Sequence, residues 1–246
     1  MHGRRSHRRG GDCGGLGRPF HAAGAGRTDH DGDGDADRPW PPVPRLWGGE
    51  IVVIAASGPS QRASALEHVK GKARLIVVNR TYELAPWADL LYACDFQWWD
   101  QNPEAAAFAG LKVTATARGL ERRPWLQRVP YETGNGSSHA VPGLSLDPMR
   151  IHTGGNGGYQ ALNLAVLLGA SRVLLTGYDM GAGKALHWHA DHPKPLSNPP
   201  KSSFPLWRKH FETTLPDLRR AGVEVVNCSV ETALTCFPRA RLEDMI

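Results

Sequence analysis

The sequence predicts an α/β fold, a doubly wound, mostly parallel, Rossmann-like sheet with helices on both faces. Three observations carry this expectation. Short aliphatic runs recur along the chain: EIVVIA at 50–55, RLIVV at 74–78, LLYA at 90–93, LKVT at 111–114, RVLLT at 172–176 and EVVN at 224–227. Runs of this kind, apolar or β-branched and without strict alternation, suit strands covered on both faces. Helical segments stand between them, and that alternation is the signature of βαβ units. A glycine-dense turn, HTGGNGG at 152–158, directly precedes the most apolar helix of the chain.

Taken in order, the folded part is expected to begin near Trp47. The first strand, 50–55, ends in the turn Ala56-Ser57-Gly58-Pro59-Ser60, and a helix follows over 61–69. The second strand ends at Asn79-Arg80 and the third at Cys94-Asp95, with a short aromatic helix from Phe96 to Trp99. Residues 115–150 carry no clear pattern; GNGSS at 134–138 reads as a flexible loop. Arg118, Arg122, Arg123 and Arg128 form a basic segment, either a lid over an anionic ligand or a solvated surface. The helix from Tyr159 to Leu168 is apolar all round and therefore buried, and Gly169 stands where a C-terminal cap glycine belongs. After RVLLT comes Gly177-Tyr178-Asp179 at a strand's carboxyl end, where open α/β sheets place ligand contacts. The chain closes with an amphipathic helix over 206–221, interrupted by Pro216, and the strand EVVN.

This layout points to a phosphate or nucleotide site. Backbone N–H groups of Thr153, Gly154, Asn156, Gly157 and Gly158 lie ahead of a helix N-terminus, which favours an anion. Ser57, Gly58, Pro59, Ser60, Asn79 and Asp95 terminate the first three strands and would line the same edge as Gly177 and Asp179. A carboxylate there can accept hydrogen bonds from a ribose or a base. Each of these residues has a plain alternative role as a turn or cap residue; their joint placement favours the site.

Composition bounds the remaining possibilities. At 246 residues the chain is long enough for one sizeable core, and its formal charge of +5 is modest. Much of the arginine excess lies at Arg4 to Arg9, so nucleic acid is not the expected partner. No apolar run approaches the ~18 residues of a membrane span, and the basic start has no apolar region of a secretory signal. The 4 cysteines show no paired spacing, which suits reduced thiols and a cytoplasmic setting. Residues 1–45 are rich in Gly, Arg, Asp and Pro and read as a disordered extension; residues 46–246 form the single domain. The alternating Asp29 to Asp37 lacks the position-12 glutamate of a calcium loop.

His187, His189, Asp191 and His192 spell H-x-H-x-D-H, the zinc spacing of metallo-β-lactamase-type hydrolases. That fold needs further downstream ligands and continues into a helix, whereas Pro193, Pro195, Pro199 and Pro200 forbid one here. No metal ligand set is therefore expected. The segment reads instead as a mobile loop that folds over the ligand and supplies a histidine base, with Lys184, Lys194 and Lys201 available to a phosphate.

IVVIAASGPS at 51–60, VVNRTY with Asn79, and GGYQALNLAVLLGASRVLLTGYD at 157–179 resemble the small bacterial sialyltransferases and their phage-borne relatives. The same layout is similar to the 6-hydroxymethylpterin pyrophosphokinase-like family. The resemblance covers residues from about Ile51 to Asn227. It implies a CMP-sugar held by Ser57, Gly58, Asn79, Asn156, Gly157, Gly158, Gly177 and Asp179, a small-molecule or glycan acceptor, and no required cofactor. The general base has three candidates: His189, His187 and His210. The pyrophosphokinase alternative implies ATP and Mg²⁺ held by Asp95 and Asp179. A third possibility is an inactive nucleotide-binding accessory protein.

Overall fold

The computed structural model describes residues 41–134 and 140–246. The calcium-like Asp29 to Asp37, Cys13 and most of the GNGSS loop lie outside the described residues. The elements in chain order are β1 (Ile51–Ala55), α1 (Ala63–Glu67), β2 (Arg74–Val78), β3 (Leu90–Tyr92), α2 (Phe96–Gln101), β4 (Leu111–Thr114), β5 (Gln127–Arg128), β6 (Tyr131–Glu132), β7 (Ile151–His152), α3 (Gly157–Leu167), β8 (Arg172–Thr176), α4 (Ser203–Glu212), α5 (Leu215–Ala221) and β9 (Glu224–Asn227).

Seven strands make one sheet in the order β5-β4-β3-β2-β1-β8-β9, and every pairing in it is parallel. The side-chain alternation of a strand sorts the core into two layers. Val52, Ile54, Ile76, Val78, Val173 and Leu175 face α3 together with Phe211 of α4 and Leu218 of α5. Val53, Ala55, Leu75, Val77 and Leu174 face the opposite way, onto Leu66 of α1 and Trp98 and Trp99 of α2. The sheet is thus covered on both sides, as the apolar strands require, and the predicted α/β class holds.

Strand order reverses at β1, which has β2 on one side and β8 on the other. Register there is level: Ala55 pairs with Thr176 of β8 and with Val77 of β2. The turns after these strands therefore emerge together, at the switch point where parallel sheets open a crevice.

Several boundaries differ from expectation for identifiable reasons. The helix expected from Tyr159 begins two residues earlier, because Asn156 caps it and draws Gly157 and Gly158 into the first turn. The helix expected over 206–221 is two: α4 ends at Glu212 and α5 restarts with Pro216 in its first turn, where a missing N–H is harmless. β5, β6 and β7 were not readable, being two residues each. β6 and β7 pair Tyr131 with Ile151 and deliver the chain to the glycine turn. Val43, assigned by composition to the extension, is buried at 5% exposure, and its N–H donates to the Pro148 carbonyl at 2.8 Å. The packed chain thus includes residues ahead of position 46.

Candidate functional site

A cleft of about 460 Å³ opens at the carboxyl edge of the sheet, over the switch point. Its floor is the expected set of turns. After β1 come Ser57, Gly58 and Pro59; after β2, Asn79; after β3, Asp95; after β8, Gly177 and Asp179. The start of α3 contributes Asn156, Gly157 and Gly158, and Gly155 joins them. Thr153, Gly154 and Ser60 are outside this lining.

Each floor residue has a local job. The Asn156 side chain accepts from the Tyr159 N–H at 2.9 Å, a helix N-cap, so its oxygen is engaged within the protein. The Tyr178 hydroxyl donates to the Gly158 carbonyl at 2.9 Å and pins the start of α3 against the turn after β8. Gly154 has φ +52°, and a Cβ there would lie 2.0 Å from the Tyr159 ring, so only glycine fits. Ser57 Oγ donates to the Val78 carbonyl at 3.1 Å and bridges the ends of β1 and β2. Asn79 takes a left-handed conformation, φ 52°, that asparagine tolerates better than most residues.

Asp179 is 2% exposed. One carboxylate oxygen accepts from the Ser60 N–H and the other from Ser60 Oγ, both at 3.0 Å. Asp179 therefore straps the Gly58-Pro59-Ser60 turn to the end of β8. The strap is tight: a Cβ on Gly58 would lie 2.0 Å from its carboxylate and 2.3 Å from the Gly177 carbonyl. Burial raises the Asp179 carboxyl above its ordinary range, and the Ser60 hydrogen bonds oppose that rise without cancelling it. Asp95 is also raised, by burial first, with the Cys94 thiol opposing.

The second wall of the cleft comes from the segment after Asp179. Met180, Leu186, His187, His192 and Asn198 line it, with Phe204 and Trp207 of α4. The segment expected to fold over a ligand borders the cleft. The Trp188 N–H donates to the Ser57 carbonyl at 3.1 Å, and its indole N–H reaches Thr81 Oγ1 at 3.3 Å, which fastens the loop to the ends of β1 and β2. Trp207 was missed by sequence reasoning; its spacing to His210, three residues along one helix, was the available signal.

The three candidate histidines part company. His187 lies on the cleft wall; His189 and His210 are not in the lining. His210 sits behind Gly155, and its Nδ1 is 2.8 Å from the Gly154 carbonyl. His187, His189 and His192 instead gather in one group, with one ring nitrogen of each within 4.8 Å of the others. Burial, then the neighbouring imidazoles, pushes His187 down to about 4. His189 and His192 are lowered too, by burial first. The prolines that argued against a metal motif do preclude a helix here, but they do not keep the imidazoles apart.

One further expectation is corrected, and one open alternative is decided. Lys184, Lys194 and Lys201 are outside the cleft, and neither lysine nor arginine is among its described lining residues. Of the two readings of the basic segment the surface one stands, since it is outside the cleft lining: the Arg118 guanidinium lies 3.9 Å from the Phe96 ring centroid, Arg123 pairs with Asp100, and Arg128 Nε donates to the Ala115 carbonyl.

No family model and no curated protein matches the chain. Among solved structures, the chain is similar to the epimerase Mth375 of the methanogen Methanothermobacter thermautotrophicus. The identity is 12%, the TM-score 0.26, and the match covers 74% of this chain and 52% of that one. The chain thus spans about half the length of that epimerase, and a likeness this slight carries no argument about fold or activity. No helix among the described residues is long and apolar enough to cross a membrane, and Cys94, Cys228 and Cys236 are free thiols.

Proposed function

We propose that the cleft binds a nucleotide sugar, CMP-linked as in the sialyltransferases the sequence resembles, and that the chain transfers the sugar to a hydroxyl of a small molecule or glycan. One observation carries the reading. The bare first turn of α3, Gly157 and Gly158, meets the ends of β1, β2, β3 and β8 on one cleft at the sheet's switch point. The glycines let this turn pack closely against Tyr178 and Val78, and the helix end it presents on the cleft favours a phosphate's charge.

In the proposed reaction the bond between the anomeric carbon and the phosphate oxygen breaks, and the acceptor oxygen bonds to that carbon. The departing CMP phosphate faces the α3 amides, which stabilise its charge. The acceptor proton is assigned to His210, which is outside the lining but stands behind Gly155 at the cleft's edge. With Nδ1–H donating to the Gly154 carbonyl, Nε2 keeps its lone pair for that task. His210 lies one helical turn from Trp207, a wall residue, and both approach Gly155.

A thermal-shift screen of CMP, CDP, UDP, ATP and AMP, with and without Mg²⁺, tests the binding half. A ligand at 100 times its Kd stabilises by about 2.7 kcal/mol. CMP acting alone supports the reading; a shift by no nucleotide refutes it. Release of CMP from CMP-sugar, lowered ~10²–10⁴-fold by His210→Ala with CMP affinity kept, tests the chemistry. Pyrophosphoryl transfer from ATP is favoured by the Asp95 carboxylate on the cleft, a ligand type suited to Mg²⁺. Its expected partner, Asp179, has both oxygens engaged by Ser60. A shift by ATP only with Mg²⁺ would select that chemistry, and binding without turnover the accessory role.

A further inference from the structure

We propose that His187, His189 and His192 form a site for one zinc-class divalent ion, held by three imidazoles and open to the cleft through its fourth position. The inference does not depend on the nucleotide reading.

The geometry comes first. The His187 and His189 rings are stacked, with centroids 4.8 Å apart and planes 7° from parallel. The His192 ring inclines at 58° to both, with its centroid 4.9 Å from each. One nitrogen from each ring lies within 4.8 Å of the other two. A tetrahedral zinc ion, at about 2.0–2.1 Å from each nitrogen, holds them about 3.4 Å apart. Closing that difference asks each pair to draw in by at most about 1.4 Å and the stacked rings to tilt out of parallel, which takes rotation about both χ1 and χ2.

The donor atoms are presented for it. Nε2 of His187 and Nε2 of His189 are both buried without a protein hydrogen-bond partner. Such atoms ordinarily find one, and leaving each unpaired costs about 1–3 kcal/mol. Nδ1 of His189 is 2.6 Å from the Ala190 carbonyl, which fixes the proton on Nδ1 and leaves the Nε2 lone pair free. A backbone carbonyl on the far nitrogen is the usual support of a metal-bound histidine.

The loop is braced around the cluster. Trp188, between the first two ligands, is fastened to Ser57 and Thr81 as described above. His192 is clamped by Asn198, whose Oδ1 accepts from its N–H at 2.9 Å and whose Nδ2 donates to its carbonyl at 3.1 Å. The three side chains therefore hang from a positioned backbone.

The donor set selects the ion. Three imidazoles suit Zn²⁺, Co²⁺, Ni²⁺ or Cu²⁺; Mg²⁺ and Ca²⁺ want oxygen. Three protein ligands leave a fourth position for water or for a ligand oxygen, the pattern of zinc sites that act on substrates. His187 and His192 line the cleft, so that position faces it. The described lining carries no lysine or arginine, and the ion would be the one full positive charge on a cleft that the α3 N-terminus also lines.

The test is a titration of Co²⁺, then Zn²⁺, into the chelator-treated full chain. One Co²⁺ should bind per chain with the intense visible absorption of a four-coordinate ion, and Zn²⁺ should displace it. His187→Ala, His189→Ala and His192→Ala should each weaken binding at least tenfold, while His68→Ala, remote on α1's end, should leave it unchanged. Thermal melts of the metal-free variants check that each one folds. Inorganic phosphate should alter the cobalt spectrum by entering the fourth position. Failure to bind one ion per chain, or binding indifferent to all three substitutions, would overturn the site. A pale six-coordinate spectrum, or a spectrum indifferent to phosphate, would overturn its open three-histidine form.

Discussion

Replacing Asp179 separates a strap from a ligand. Asp179→Ala removes both acceptors of Ser60, each at 3.0 Å, and leaves a void at a position only 2% exposed. Hydrogen bonds to a charged group contribute about 1.5–3 kcal/mol each. Against that stands the burial of the charge, which outweighs the Ser60 bonds and raises the carboxyl. The net loss for Ala is then about 1–3 kcal/mol, well below the sum of the two bonds. For a chain of this size that lowers Tm by roughly 3–10 °C. Asp179→Asn keeps the shape and an acceptor for the Ser60 N–H while dropping the buried charge, so it should melt within about 3 °C of wild type at neutral pH. Both are read by thermal unfolding, and CMP affinity is measured on the same samples. Ala should weaken CMP by about tenfold, or 1.4 kcal/mol, because the Gly58–Ser60 turn loses its tether. An Ala variant that melts with wild type, or an Asn variant as unstable as Ala, would refute the strap.

Gly157→Ala should change Tm little, since the helix propensity it gains is offset by a tight Cβ contact of 3.3 Å with the buried Val78, yet it should weaken CMP binding if a phosphate approaches that turn. Asn156→Ala should lose about 1 kcal/mol in urea unfolding, the usual worth of an N-cap. Val43→Ala should lose about 1–2 kcal/mol in the same assay, because that side chain is buried; no loss would return residues 41–45 to an unpacked extension. In metal-stripped protein, His187 titrates near 4 when folded against an ordinary 6.5, so the unfolded chain binds more protons between those values. Stability should therefore be full above about 6.5, fall as pH drops toward 4, and fall less in His187→Gln; a Tm flat across that window would contradict the burial of the imidazole.

The sequence by itself determined the sheet. Six aliphatic runs suited to burial on both faces, alternating with helical segments, point to a parallel sheet between helices, and their polar ends already marked the crevice. The glycine turn was legible for the same local reason: that density of glycine suits neither helix nor strand interior, though Asn156 moved the helix start by two residues. Only the tertiary structure decided what the polar residues do. Asp179 lines the cleft as its strand-end position suggests, but its tie to Ser60 was not legible, because that partner lies 119 positions away and the level register of β1 and β8 brings it near. The short β5, β6 and β7 were invisible because two residues carry no periodicity. The histidine motif held the plainest lesson. Proline chemistry, which is local, ruled out a helix there correctly. Whether three imidazoles meet depended on Trp188 reaching Thr81 and on Asn198 clamping His192, contacts made by side-chain geometry in the folded loop.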